Sequence, residues 1–177
     1  MYHEAGHAAA FLHYGIPLKH VSITPDLAKG YGGHTAPAIS PPDSGRAELE
    51  NWMRACAAGD AASDRRCGRR APAESVLVAE FEQAQCEVDG MLAGSVPPSD
   101  VRNFAWLASR RDMEVAEPDG TGPKAWAATW LEARDLIAEI WPAVEAIAQK
   151  LISTLKDMDG QEAAILADHA MKGTASQ

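Results

Sequence analysis

His3, Glu4 and His7 stand in the order His-Glu-x-x-His, with Ala5 and Gly6 between them. On a helix turning about 100° per residue, positions 3 and 7 lie about 40° apart and one turn along the same face. Two imidazoles so placed reach one zinc ion from a rigid support. Zinc at such a site lowers the pKa of a water toward neutrality and polarises a carbonyl, and Glu4, beside the first ligand, is placed to take the water's proton. A catalytic zinc needs a third protein ligand and an open fourth position. His13 follows His7 by six residues, the spacing of the extended HExxHxxGxxH motif, but Ala10 replaces the glycine that lets that chain swing back. The helix is therefore expected to continue to Tyr14, turning His13 about 240° away from His7. Glu48, Glu50, Glu80, Glu82, Asp100 and His34 remain as third-ligand candidates, and spacing alone does not choose among them.

The elements that would position these groups can be read from the pattern. Tyr2 to Tyr14 is Ala-rich and free of proline, with Gly15 and Pro17 as stop signals, so it reads as the zinc helix. Only Met1 and Tyr2 precede His3, so either the chain starts further upstream or packing must hold the first turn against fraying. Lys19 to Thr24 alternates polar and apolar residues as a half-buried strand does, and Gly30 to Thr35 reads as a second, glycine-weakened strand after a Pro25-Asp26 turn. Helical periodicity then dominates. Leu49, Trp52, Met53 and Cys56 share one face, as do Leu77, Phe81, Ala84 and Val88. The polar run Asp64 to Arg70 between these two helices is expected to be a solvated loop. After the break at Gly94 to Pro98, Ser99 or Asp100 caps a helix bearing Val101, Phe104 and Leu107. Beyond the Pro118-Asp119-Gly120 loop, Trp126, Trp130 and Trp141 fall at helical spacing as core residues, and Pro142 should kink or split their helix. A short last helix follows Asp159-Gly160. The expected architecture is α+β, predominantly α-helical with a small N-terminal β-sheet, in a single domain over residues 1–177.

Composition narrows the function classes. The 177 residues carry a net charge of −9, which argues against a nucleic-acid binder relying on a basic surface. No run approaches the roughly 18 apolar residues of a membrane helix, so no direct membrane insertion is expected. Cys56, Cys67 and Cys86 are odd in number and lack CxxC spacing, which fits free thiols in a reducing, cytoplasmic setting.

The heptad Tyr2-His3-Glu4-Ala5-Gly6-His7-Ala8 resembles the peptidase domain of FtsH-type proteases, the membrane-anchored AAA+ zinc proteases. The likeness extends to His20–Pro25, similar to the family's strand after the first helix, and to Gly30–Pro37, similar to its edge strand. Ala58-Gly59-Asp60-Ala61-Ala62 resembles its Ala-Gly-x-x-Ala-Glu helix, with Ser63 where the family has an acidic residue. Ser95 to Ala108 resembles the segment supplying the third zinc ligand, and Ala146–Leu151 with Asp159–Glu162 its closing helices.

This resemblance implies a zinc endopeptidase acting on unfolded proteins or peptides. Asp100 would be the third ligand beside His3 and His7, Glu4 the catalytic base, and Gly30, Tyr31, Gly32, Gly33, His34 and Thr35 the edge that pairs with an extended polypeptide substrate. Within these residues there is no phosphate-binding loop, so unfolding of a folded substrate would fall to a separate ATPase partner. The family's rings make a homo-oligomer one expectation, but they depend partly on an ATPase module that these residues lack, so the sequence leaves the oligomeric state open. The rival expectation is a zinc-stabilised, non-catalytic binding or regulatory module. Access separates the two: a peptidase needs an open position on the metal and a groove beside the sheet edge.

Overall fold

A run of alanines flanking a His-Glu-x-x-His motif makes a helix that neighbours can approach closely, and the fold is built around it. The computed structural model describes residues 1–25, 32–42, 45–91, 100–114 and 123–174. Helix α1 (Tyr2–His13) is buried from Glu4 through Phe11. It stops as Gly15 enters the left-handed region at φ 71°. The Gly15 N–H donates to Leu12 O and the Ile16 N–H to Phe11 O, while Ile16 and Phe11 are both buried, which completes a Schellman stop.

The first turn of α1 is held by packing. Tyr2 stacks on Trp141, the Arg66 guanidinium lies 5.1 Å over the Tyr2 ring, and Gln149 Nε2 donates to the Tyr2 hydroxyl. Arg66 thus belongs to helix α2 (Arg46–Cys67), so Asp64–Cys67 of the expected solvated loop is helical, while Arg65–Arg70 are exposed as expected and Arg69 and Arg70 lie beyond the helix. The helix persists to Cys67 and ends at Gly68, whose φ of 65° suits a left-handed cap. Arg65 has found Trp141 and Arg69 has found Asp64, so the charges decorate a helix end.

Helices α1 and α2 cross in close contact. A methyl at Gly6 would sit 2.6 Å from Ala58 O and 2.6 Å from the Ala62 Cβ, so only glycine permits this approach. Leu49, Trp52, Met53 and Cys56 form the buried stripe of α2. Helix α3 (Glu74–Met91) buries Leu77, Phe81 and Ala84; the side chain of Val88 lies outside the described residues. Helices α4 (Asp100–Glu114) and α5 (Pro123–Glu139) contribute Phe104 and Trp126, which meet edge to face at 4.8 Å. Trp126 and Trp130 are core residues, whereas Trp141 is half-buried and serves as the platform for Tyr2. Pro142 splits the long helical stretch: α5 ends at Glu139 and α6 (Trp141–Thr154) restarts with proline in its first turn, where no N–H is missed. Gly94–Pro98, Ser99 and Pro118–Gly120 lie outside the described residues.

The sheet differs from expectation in two respects. Strand β1 (Leu18–Ser22) pairs antiparallel with β2 (His34–Pro37), which lies later than the expected Gly30–Thr35: Gly32 and Gly33 precede it, and Gly30 and Tyr31 lie outside the described residues. A third strand, β3 (Met158–Asp159), pairs with the other side of β1, giving the order β2-β1-β3. The sheet is therefore N-terminal only in part. Its third member comes from just before helix α7 (Gly160–Thr174). Asp157 fastens this return, with Oδ1 accepting from the Ser22 hydroxyl, the Ile23 N–H and the Thr24 hydroxyl. Among the described residues the architecture is α+β with helix dominant, around one hydrophobic cluster to which each of α1–α7 contributes. No helix among the described residues is long and apolar enough to cross a membrane.

Candidate metal centre

Three elements converge on His3 and His7. Helix α1 presents both rings on one face, α2 packs behind them, and the first residue of α4, Asp100, comes in from the front. Asp100 Oδ2 is 3.1 Å from His3 Nε2 and Oδ1 is 3.2 Å from His7 Nε2. The two Nε2 atoms are 3.1 Å apart. Among the described residues this is the one group of three or more His, Cys, Asp or Glu whose ligand atoms converge.

The outer nitrogens are also assigned. His7 Nδ1 donates to Ala55 O at 2.7 Å, deep in the α1–α2 contact, and His3 Nδ1 lies 3.4 Å from Asp60 Oδ1. Protons held on both Nδ1 atoms leave both Nε2 lone pairs facing Asp100, the arrangement a metal requires of histidine ligands. The donor set fits zinc: bonds of about 2.0–2.1 Å at tetrahedral angles separate ligand atoms by about 3.3 Å, close to the 3.1–3.2 Å observed. His7 is walled in by Gly59, where a methyl would land on the ring itself, 2.6 Å from Cε1 and 2.8 Å from Cδ2.

The electrostatics show what the cluster asks for. Burial pulls the His3 imidazole down, but Asp100 and Asp60 outweigh it and leave its pKa at about 10. His7 is likewise raised, burial being overcome chiefly by Asp100. Burial works to raise Asp100, yet the two histidines hold it well below the usual carboxylate range. Without a metal, protons on imidazole supply the positive charge at the centre of the triangle. A divalent cation would replace them.

Glu4 is buried beside this centre. Thr35 in β2 donates its hydroxyl to Glu4 Oε2 at 3.1 Å and also lies 2.9 Å from the Glu4 backbone oxygen, so the edge strand orients the carboxylate. The site opens into a groove of about 1080 Å³, lined by His3, Glu4, His7 and Asp100 together with strand β2 and Trp106. Of the Gly30–Pro37 segment, Gly32, Gly33, His34 and Thr35 of the expected substrate-pairing residues line this groove, together with Ala36 and Pro37.

The other third-ligand candidates go elsewhere. Glu50 pairs with Arg54, Glu48 and Glu82 are exposed, Glu80 lines the groove outside the cluster, and His34 meets His20. His13 is exposed and stacks against Tyr14, away from the cluster. Asp60, Gly59 and the Ala55 carbonyl were not anticipated as supports of the histidines. No protein-family model matches this chain, and no curated protein sequence matches it.

Proposed function

We propose that this chain is a zinc-dependent endopeptidase of the FtsH peptidase type, cleaving unfolded polypeptides or peptides. One observation carries the reading: His3, His7 and Asp100 present their ligand atoms to a common centre with Glu4 buried alongside, all lining an open groove. His3, His7 and Asp100 would hold the ion, whose role when bound is to acidify water and polarise the scissile carbonyl. Glu4 takes the proton of the attacking water and delivers it to the leaving amine, with Thr35 fixing its carboxylate. Ala55 and Asp60 keep the Nδ1 protons in place, so the metal-facing nitrogens stay basic. Among the described residues strand β2 is an edge of the sheet, and it lines the groove, so an extended substrate adds to it by main-chain pairing. The groove favours this reading over a non-catalytic zinc module, which needs no such access. Folded substrates would require a separate ATPase, and the free thiols Cys56 and Cys67 suit a cytoplasmic setting.

The test is zinc content together with casein or peptide cleavage, on wild type and on Glu4→Gln. The expected result is about one zinc per chain in both proteins, with cleavage reduced in the variant by about 10²–10⁴-fold. Zinc bound without cleavage of any unfolded substrate would instead establish the binding module, and loss of zinc in the variant would remove Glu4 from its assigned role.

A further inference from the structure

His20 and His34 belong to neither the metal cluster nor the support of Glu4. The register of β1 and β2 pairs His20 with Ala36 and Ser22 with His34. The two histidines are therefore diagonal cross-strand neighbours on one face of the sheet, a separation that long side chains bridge. Thr35, on the opposite face, turns to Glu4. The two rings meet edge to face with their Nε2 atoms 2.8 Å apart, and both residues are half-buried.

Two imidazoles that meet Nε2 to Nε2 share a single proton: one nitrogen donates and the other offers its lone pair. If the donor carries its proton on Nδ1 instead, both lone pairs point to the same place, with no change in charge. Paired strands hold the two side chains in register, so little conformational freedom is lost on binding. The surroundings favour a cation. Asp159 lies directly across from His20 in β3, and Asp157 is bonded to Ser22, the register partner of His34.

The donor type bears on the kind of ion: at imidazole nitrogens the affinity order of divalent ions places copper(II) ahead of nickel(II) and zinc, and both copper(II) and nickel(II) take tetragonal nitrogen sites. We infer that His20 and His34 form a second metal site, distinct from the His3–His7–Asp100 centre and selective for a tetragonal divalent ion, copper(II) ahead of nickel(II). This site stands whether or not the chain is a peptidase.

The experiment is a copper(II) titration followed by paramagnetic resonance, on zinc-loaded wild type and on a His3→Ala/His7→Ala variant, so that the first centre cannot supply the signal. Both proteins should bind one copper(II) per chain with two imidazole nitrogens in the spectrum. Binding should become at least about tenfold weaker in His20→Gln and in His34→Gln, since even an outer-shell partner of a metal is worth that much. A spectrum with one imidazole or none, or unchanged binding in both glutamine variants, overturns the site. The imidazole count is made on histidine-intact strands, so a glutamine variant that failed to fold would leave the test decisive.

Discussion

Replacing Gly59 with alanine puts the geometry of the metal centre to a sharp test, because propensity and tertiary structure predict opposite signs. Gly59 lies in the interior of α2, where alanine is intrinsically favoured over glycine by about 1 kcal/mol. The added methyl, however, would stand 2.6 Å from His7 Cε1 and 2.8 Å from Cδ2, where ordinary contact begins near 3.4 Å. The closest atom to that methyl is the metal-facing Nε2 itself, so the ring must retreat by more than about 0.8 Å, beyond the roughly 0.5 Å tolerance of a functional site. It cannot do so freely, since Nδ1 is tied to Ala55 O at 2.7 Å and the ring is buried. Overpacking of this kind costs about 1–3 kcal/mol, enough to cancel or reverse the propensity gain. Moving a ligand off its line should weaken zinc by about 10–100-fold, the scale of an outer-shell loss. Zinc affinity is read by competition with a chromophoric chelator, and stability by thermal unfolding of the metal-free protein. A variant that binds zinc like wild type and melts higher would refute the packing argument.

Other perturbations probe the supports and the charge. Asp60→Asn keeps the shape but removes the carboxylate facing His3 Nδ1; zinc affinity should drop by about tenfold in the same chelator assay, with the fold unchanged by circular dichroism. Thr35→Val removes the hydroxyl that orients Glu4; cleavage should slow by roughly an order of magnitude at unchanged zinc content, the scale of a lost charge-assisted hydrogen bond. The metal-free protein should show a defined pH response. With its folded pKa at about 10, His3 contributes stability that is complete below its unfolded value of 6.5 and is lost as the pH rises toward 10. Asp100, lowered from 3.8, contributes above that value and loses its contribution as the pH falls below it. The melting-temperature advantage of metal-free wild type over Asp100→Asn should therefore be greatest between about pH 4 and 6.5; an advantage that is flat to about pH 10 contradicts the assigned charges. Zinc must displace the imidazole protons, so its protection should grow over the same alkaline range, accompanied by proton release in calorimetry across buffers of different ionisation enthalpy.

Local chemistry determined a good deal from sequence alone. The placement of His3, Glu4 and His7 on one helix follows from spacing and an alanine-rich run, and the stop at Gly15 follows from glycine's freedom at positive φ. The stripe of Leu49, Trp52, Met53 and Cys56 and the break at Pro142 are likewise statements about periodicity and a missing N–H, so they needed no knowledge of the rest of the chain. What lay beyond local reach were the encounters between distant segments. Physics applied to spacing left six candidates for the third ligand, and the arrival of α4 between His3 and His7 singles out Asp100. Two-residue β3 carries no periodicity to detect, and its pairing with β1 depends on Asp157 reaching Ser22 and Thr24 across most of the chain. That Asp64–Cys67 is helix and not loop also escapes local reading, because the partners of Arg65 and Arg66, the Trp141 and Tyr2 rings, are remote in sequence and favour extending the end of α2. Asp60, Gly59 and the Ala55 carbonyl have no motif of their own. Their roles exist only because Gly6 lets α1 and α2 approach within methyl contact, and that closeness is a property of two packed surfaces.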